Sequence, residues 1–332
     1  MKSRIFALAN TFLMKKILNV HGFASSGQSG TAAWLRKTFP GAEILSPDIP
    51  VDPHEGLALL TELVAAEAPD LIVGTSMGGM YAEMLHGTRR ILVNPAFEIA
   101  DTLRSRIGTG RHVFYNARQD GATDFMVTKG LIEAYREVAS RCFEHAADEG
   151  EDKLVWGLFG THDELVHTFP IFRQHYTRAV HFEGGHHLDD HARIHALLPV
   201  VRWADDEIEG RQRPVLFVAL EDTLMKPDGT VLGSAPNAFA RLAATYDAYV
   251  VARADWYDDA HAARCRQWVE QHLGVPAYNR LVVTPRPEQL LGDYFVSAAP
   301  VDGFIGIHIP YATPEFREWQ HVLTYFERLG GQ

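Results

Sequence analysis

The chain has 332 residues, 46% of them hydrophobic and 22% charged, which argues against intrinsic disorder and makes two domains the expectation. A formal net charge of -11 excludes nucleic acid or an anionic membrane surface as the main partner, because basic patches hold both, and leaves a small molecule as the expected partner. The two cysteines, Cys142 and Cys265, fall in different expected domains, which suits a reducing, cytoplasmic setting rather than a disulfide framework, and no run reaches the roughly 18 apolar residues of a membrane span.

Residues 1–13 imitate a signal peptide, with two basic residues ahead of an apolar stretch, but no small-residue cleavage site precedes Ile17, so they read as a leader ahead of Met14. From Ile17 the pattern is strand, loop, helix, repeated. "ILNV" is an apolar strand, "HGFASSGQSG" a glycine and serine loop, and "TAAWLRKTF" a helix. "AEILSPDI" gives a second strand, and Asp52 with Pro53 caps a helix running to about Ala68. "DLIVG" and "RILVN" are buried strands on either side of a helix that begins near Met77. The alternation predicts a mostly parallel sheet with helices on both faces.

Residues 97–152 are less regular, with a long helix expected over "GLIEAYREVASRCFEHAADEG"; "KLVWGLFG" and "RAVHFEGG" then return to strand. The acidic run from Ala204 to Arg213 is the linker candidate, placing a first domain at 14–204, a linker at 205–211 and a second domain at 212–332. The second domain opens a new α/β series: "PVLFVAL", a helix near "NAFARLAATY", "AYVVAR", a helix over "DDAHAARCRQWVEQHLG", then "RLVVT" and "DYFVSA". The fold class is therefore α/β in both halves.

The chemistry-bearing motif is Gly74-Thr75-Ser76-Met77-Gly78, the G-x-S-x-G spacing, placed after a strand and before a helix. In that context the two glycines allow a strained turn that lifts the serine hydroxyl into a cleft at the carboxyl end of the sheet. Asp163 follows "KLVWGLF" and His186 follows "AVHF", so nucleophile, acid and base occur in the order this fold uses. A serine hydroxyl attacks only when a neutral imidazole takes its proton, and a carboxylate holds that imidazole in the right tautomer. The backbone amides of Phe23 and Met77 are the candidates for an oxyanion hole.

On "VHGFASS", "GTSMGGMYA", "VNPAF", "DFMV", "GTHDELV" and "EGGHH", residues 14–204 resemble the small α/β-hydrolase esterases of the YqiA type. The resemblance implies cofactor-free hydrolysis of acyl esters or thioesters through Ser76, Asp163 and His186. It names no physiological substrate and leaves self-association open.

Competing readings attach to each residue. His187 is an alternative base. Asp189 and Asp190 follow the histidine and read as caps of the next helix, Glu164 reads as solvated, and Ser25, Ser26 and Ser29 as turn or cap residues. His187, His191 and His195 recur at helical spacing and admit a metal reading, against which a solvated stripe is the plainer one. Arg104, Arg106 and Arg111 suit a carboxylate or a coenzyme A phosphate, or an exposed insertion.

Residues from about Gln212 to Leu329 resemble the haloacid-dehalogenase superfamily, in particular its 5'-nucleotidase-like members, on "VLFVALEDTL", "YDAYVVARA", "RQWVEQHLGVPAYNRLVVTP" and "LLGDYFVSAAP". The resemblance puts the superfamily's nucleophile at Ala219 and its general acid at Glu221. It puts the hydroxyl residue at Ala252, the lysine near Pro287 or Glu288 beside Arg286, and the metal-binding acids at Ser297 and Ala298. An alanine cannot attack phosphorus, and Glu221 with Asp222 offers Mg²⁺ too few oxygens, so a pseudo-phosphatase is expected. The rival readings are a binding or regulatory scaffold silent in both halves, and residual Mg²⁺-dependent phosphatase activity on nucleotides.

Overall fold

The computed structural model describes residues 14–255 and 257–329, so the leader expected over residues 1–13 lies outside the described residues. The chain divides into two compact units, Met1–Glu209 and Gly210–Gln332.

In the first unit the strands are β1 (Lys16–Val20), β2 (Glu43–Leu45), β3 (Leu71–Thr75), β4 (Arg89–Val93), β5 (Gly110–Val113), β6 (Asp124–Val127), β7 (Val155–Gly160) and β8 (Ala179–Phe182). Six form one parallel sheet in the order β2-β1-β3-β4-β7-β8. Its central strands are apolar runs without alternation, such as Leu71-Ile72-Val73 and Ile91-Leu92-Val93, because both faces are covered. The helices are α1 (Gly30–Thr38), α2 (Pro53–Glu67), α3 (Met77–Glu83), α4 (Lys129–Ala139), α5 (Phe169–His175) and α6 (Leu198–Glu209). Their starts follow local capping chemistry: Ser29 accepts from the Ala32 amide, and Asp52 accepts from His54 and Glu55 with Pro53 in the first turn.

Three sequence expectations are corrected here. The long helix expected over residues 130–150 ends at Ala139 and gives way to turns. Buried Glu83 accepts from the Phe143 amide at 3.0 Å and from the Tyr176 hydroxyl at 2.6 Å, and Phe143 takes a φ of 70° that no helix continues through. The stretch from 204 to 209, read as linker, is the end of α6, so the connection to the second unit begins only at Gly210. The antiparallel pair β5-β6 was not anticipated, since its strands are short and half-exposed.

The second unit carries β9 (Val215–Ala219), β10 (Asp247–Arg253), β11 (Leu281–Thr284), β12 (Tyr294–Ser297) and β13 (Ile307–Pro310), all parallel in the order β11-β10-β9-β12-β13. Helices α7 (Ala235–Ala243), α8 (His261–His272) and α9 (Trp319–Leu329) belong to it. Leu216, Val218, Phe239, Trp319 and Phe326 pack on one side of the sheet, and Phe217, Val251 and Phe295 form a separate cluster. Among the described residues no helix is long and apolar enough to cross a membrane.

One buried ion pair holds the first unit behind the sheet. The Arg90 side chain is fully buried, donates to the carbonyls of Leu85 (2.8 Å) and Thr88 (3.2 Å), and pairs with Glu151, whose other oxygen accepts from the Gly87 amide at 2.7 Å. Burial pushes the Glu151 carboxyl up, but the Arg90 guanidinium and the Gly87 amide outweigh it and hold the group below its ordinary value. The pair's stabilisation is therefore complete above the unfolded carboxyl value of about 4.3 and is lost as pH falls through the lower folded value. Glu151→Gln, which strands the buried guanidinium, is expected to cost about 3–5 kcal/mol, and the double variant Arg90→Met/Glu151→Met less than either single change. Urea denaturation of Glu151→Gln, the two single methionine variants and the double variant checks both statements.

Candidate active site

Ser76 stands where β3 turns into α3, with φ 58° and ψ -118°. A non-glycine residue in that region costs about 1–3 kcal/mol and persists only where its surroundings over-determine it. Here the Ser76 amide donates to Val93 O at 2.9 Å, while its carbonyl accepts from the amides of Gly79, Met80 and Ala96. The glycines of the motif act by close approach, and neither has positive φ. A Cβ at Gly78 would sit 1.9 Å from Val20 O, and one at Gly74 2.2 Å from Gly78 O, so α3 can lie against β1 and β3 only without them.

The three residues picked from their strand-end positions come together. His186 Nε2 lies 3.0 Å from Ser76 Oγ, and its Nδ1 lies 2.8 Å from Asp163 Oδ2. Nδ1 carries the proton towards the carboxylate, which leaves Nε2 free to accept the serine hydrogen. The other carboxylate oxygen of Asp163 accepts from the amides of Leu165 (2.8 Å) and Val166 (3.0 Å). Burial raises the Asp163 carboxyl, but His186 and these two amides outweigh it and hold the group ionised below its ordinary range.

Asn94, the residue that carries the geometry, was noted in the sequence only inside "VNPAF". From the end of β4 its side-chain oxygen accepts from the Gly160 amide at 2.8 Å, and its nitrogen donates to the carbonyls of Gly185 (3.1 Å) and His186 (3.0 Å). One amide thus ties together the loops that bear the acid and the base. Gly160 lets them meet, since a Cβ there would stand 2.5 Å from Gly185 O.

The early loop runs beside the serine: a Cβ on Gly22 would lie 3.5 Å from Ser76 Cβ. His21 anchors it from below, buried at 3% exposure, with Nδ1–H donating to Gly22 O (2.8 Å) and Nε2 accepting from the Ile49 amide (3.1 Å). Burial pushes this imidazole down to about 4. Among the described residues the amides of Phe23 and Met77 have no protein acceptor, as an oxyanion site requires. A small open cleft of ≈ 210 Å³ adjoins them, lined by Phe23, Met77, Phe114, Phe125, Tyr135 and Arg118. The Arg118 guanidinium lies over the Phe114 ring and donates to Ile49 O and Asp120.

The alternatives sort themselves by position. His187 stacks edge-on against His186 with ring centroids 5.2 Å apart, and it is His186 that faces Ser76. Asp189 caps the next helical turn through the Ala192 amide. The helical spacing read across His187, His191 and His195 applies only to the last two, because the helix begins after His187, at Asp190. Arg104 and Arg111 are engaged by Glu133 and Asp124 on the protein surface. Ser25 and Ser26 bond to Asn116 and to Ala117 O, which holds the insertion against the loop.

Glycine tolerates the backbone of Ser76 where alanine does not. Ser76→Gly is expected to be more stable than Ser76→Ala by about 1 kcal/mol, read from paired urea midpoints.

A family model described as "Uncharacterised protein family (UPF0227)" matches residues 16–194. A protein of Vibrio phage KVP40 (isolate Vibrio parahaemolyticus/Japan/Matsuzaki/1991), provisionally named a 5'(3')-deoxyribonucleotidase, is 32% identical over 128 residues, spanning 37% of this chain and 70% of the phage protein. Among solved structures, Est1E from Butyrivibrio proteoclasticus is 18% identical with a TM-score of 0.38, covering 60% of this chain and 89% of its own. The α/β hydrolase GrgF from Penicillium sp. sh18 is 12% identical with a TM-score of 0.41, covering 58% and 89%. Such scores leave the fold to be read from the molecule itself, where the all-parallel order β2-β1-β3-β4-β7-β8, the turn at Ser76 and the loops after β7 and β8 that carry Asp163 and His186 make the first unit an α/β-hydrolase fold. Since the matched stretch is more than half of its length, the chain belongs to the uncharacterised protein family UPF0227.

Proposed function

We propose that the first unit is a serine hydrolase acting on acyl esters or thioesters. The observation that carries the reading is the unbroken line Ser76 Oγ, His186 Nε2, His186 Nδ1, Asp163 Oδ2, with contacts of 3.0 and 2.8 Å, on a strained turn between β3 and α3. In this reading His186 takes the Ser76 proton as Oγ bonds to the acyl carbon, and the amides of Phe23 and Met77 receive the charge that develops on the carbonyl oxygen. His186 then returns the proton to the departing alkoxide or thiolate. Water repeats the sequence on the acyl-enzyme, and Asp163 keeps the imidazole oriented and stabilises its charged form. The resemblance to YqiA-type esterases supports the substrate class.

For the second unit we propose a haloacid-dehalogenase-type scaffold that does not transfer phosphoryl groups. The five-stranded parallel order, the phage relative's name and the sequence resemblance support the scaffold. Ala219 ends β9 where the nucleophile would stand, and Ala252 lies near the end of β10. Ser297 Oγ is spent on Ala299 O (2.6 Å) and His308 (2.9 Å). A scaffold silent in both units is the reading that competes with this one.

A fluorophosphonate probe separates them without needing the natural substrate. A single adduct that maps to Ser76 and is absent from folded Ser76→Ala is the expected outcome, and a wild-type protein that stays unlabelled favours the silent scaffold. Asp163→Asn should lower kcat on 4-nitrophenyl acetate by on the order of 10⁴.

A further inference from the structure

The second unit holds a group of side chains that neither the hydrolase reading nor the phosphatase resemblance uses. Glu221 follows β9, and His261 and Cys265 occupy the first turns of α8, four residues apart and so on one helix face. A carboxylate oxygen, an imidazole nitrogen and the thiol sulfur of these residues all lie within 4.8 Å of one another, and among the described residues this is the one group of three such donors. We propose that Glu221, His261 and Cys265 form a binding site for a zinc-like divalent ion.

The spacing suits the ion. Tetrahedral zinc with a Zn–S bond of about 2.3 Å and a Zn–N bond of about 2.0 Å places sulfur and nitrogen roughly 3.5 Å apart. Cys265 Sγ and His261 Nε2 are 3.4 Å apart. A Glu221 carboxylate oxygen lies within 4.8 Å of both, and the Arg253 amide at the end of β10, 3.2 Å from that carboxylate, supplies an outer donor of the kind that orients ligating carboxylates. Cys265 is 5% exposed, so its sulfur faces the cluster and not the solvent.

The donor set also selects the metal. Thiolate and imidazole suit Zn²⁺ and its analogue Co²⁺, whereas Mg²⁺ seeks six oxygens that these residues do not offer. With three protein donors, the fourth position of a tetrahedral ion falls to water or another small ligand. The ion would join the turn after β9 to the start of α8. The inference is independent of what Ser76 does.

The test uses the full-length chain, stripped with chelator and titrated with Co²⁺. One tightly held ion per chain with a thiolate-to-cobalt charge-transfer band in the near ultraviolet, displaced by Zn²⁺, is the expected result. Cys265→Ser should lose the band and His261→Gln should release the ion on gel filtration, while Cys142→Ser, which removes the other cysteine, should retain both. Absence of the thiolate band from the wild-type protein overturns the site, and that spectrum decides even if a variant fails to fold. Retention of the ion by both Cys265→Ser and His261→Gln assigns it elsewhere, with His191 and His195 the next place to look, and equally overturns the proposal.

Discussion

Everything at the Ser76 centre depends on how three strand ends are held in register, and the side chain of Asn94 is the interaction that does it. Strands β4, β7 and β8 run side by side, so their loops leave the sheet at one edge, but parallel pairing alone leaves those loops free to diverge. An amide with an acceptor and two donor hydrogens, standing at the end of the middle strand of β3, β4 and β7, can bind one loop with its oxygen and the other with its nitrogen. A carboxylate has no hydrogen to donate, and a hydroxyl has only one for the two carbonyls. The 3.0 and 2.8 Å contacts of His186 are built on that clamp, as Ser76 is built on the tight approach of α3 to β1.

The two units solve the same architectural problem with different outcomes. Each is a parallel sheet with its loops gathered at the carboxyl ends of the strands, where α/β proteins place their ligands. In the first unit that edge carries Ser76, Asp163 and His186, and two amides without a protein acceptor among the described residues. In the second, β9 ends in alanine, and the polar residue that follows, Glu221, faces a histidine and a cysteine from α8.

Residues that act along the chain were legible in the sequence, and residues that act across it were not. Ser76, Asp163 and His186 each follow a short apolar run, so strand ends could be counted and the order of the three read off. Asn94 also follows such a run, but its partners Gly160, Gly185 and His186 lie 66 to 92 residues away, and nothing local marks an asparagine as a clamp. The same holds for Glu221 with His261 and Cys265, which belong to different elements. Glu83 was invisible for a further reason: it lies in an apolar helix, where a buried carboxylate is unexpected until the Tyr176 hydroxyl and Phe143 amide that satisfy it are seen. Those same bonds end α4 early, so one unforeseen acid accounts for the misread helix.

The buried His21 makes the loop over Ser76 a proton-sensitive part. Both of its nitrogens are committed, one donating to Gly22 and one accepting from Ile49, and only the neutral ring can do both. Its folded value of about 4 lies below that of an exposed histidine, so the unfolded chain binds the proton first and stability falls as pH drops from about 6.5 towards 4. A protonated ring would aim N–H at the Ile49 N–H, and the loop would have to leave its seat to separate them. Acid would therefore disturb the Gly22 and Phe23 backbone, the stretch of chain that lies beside Ser76.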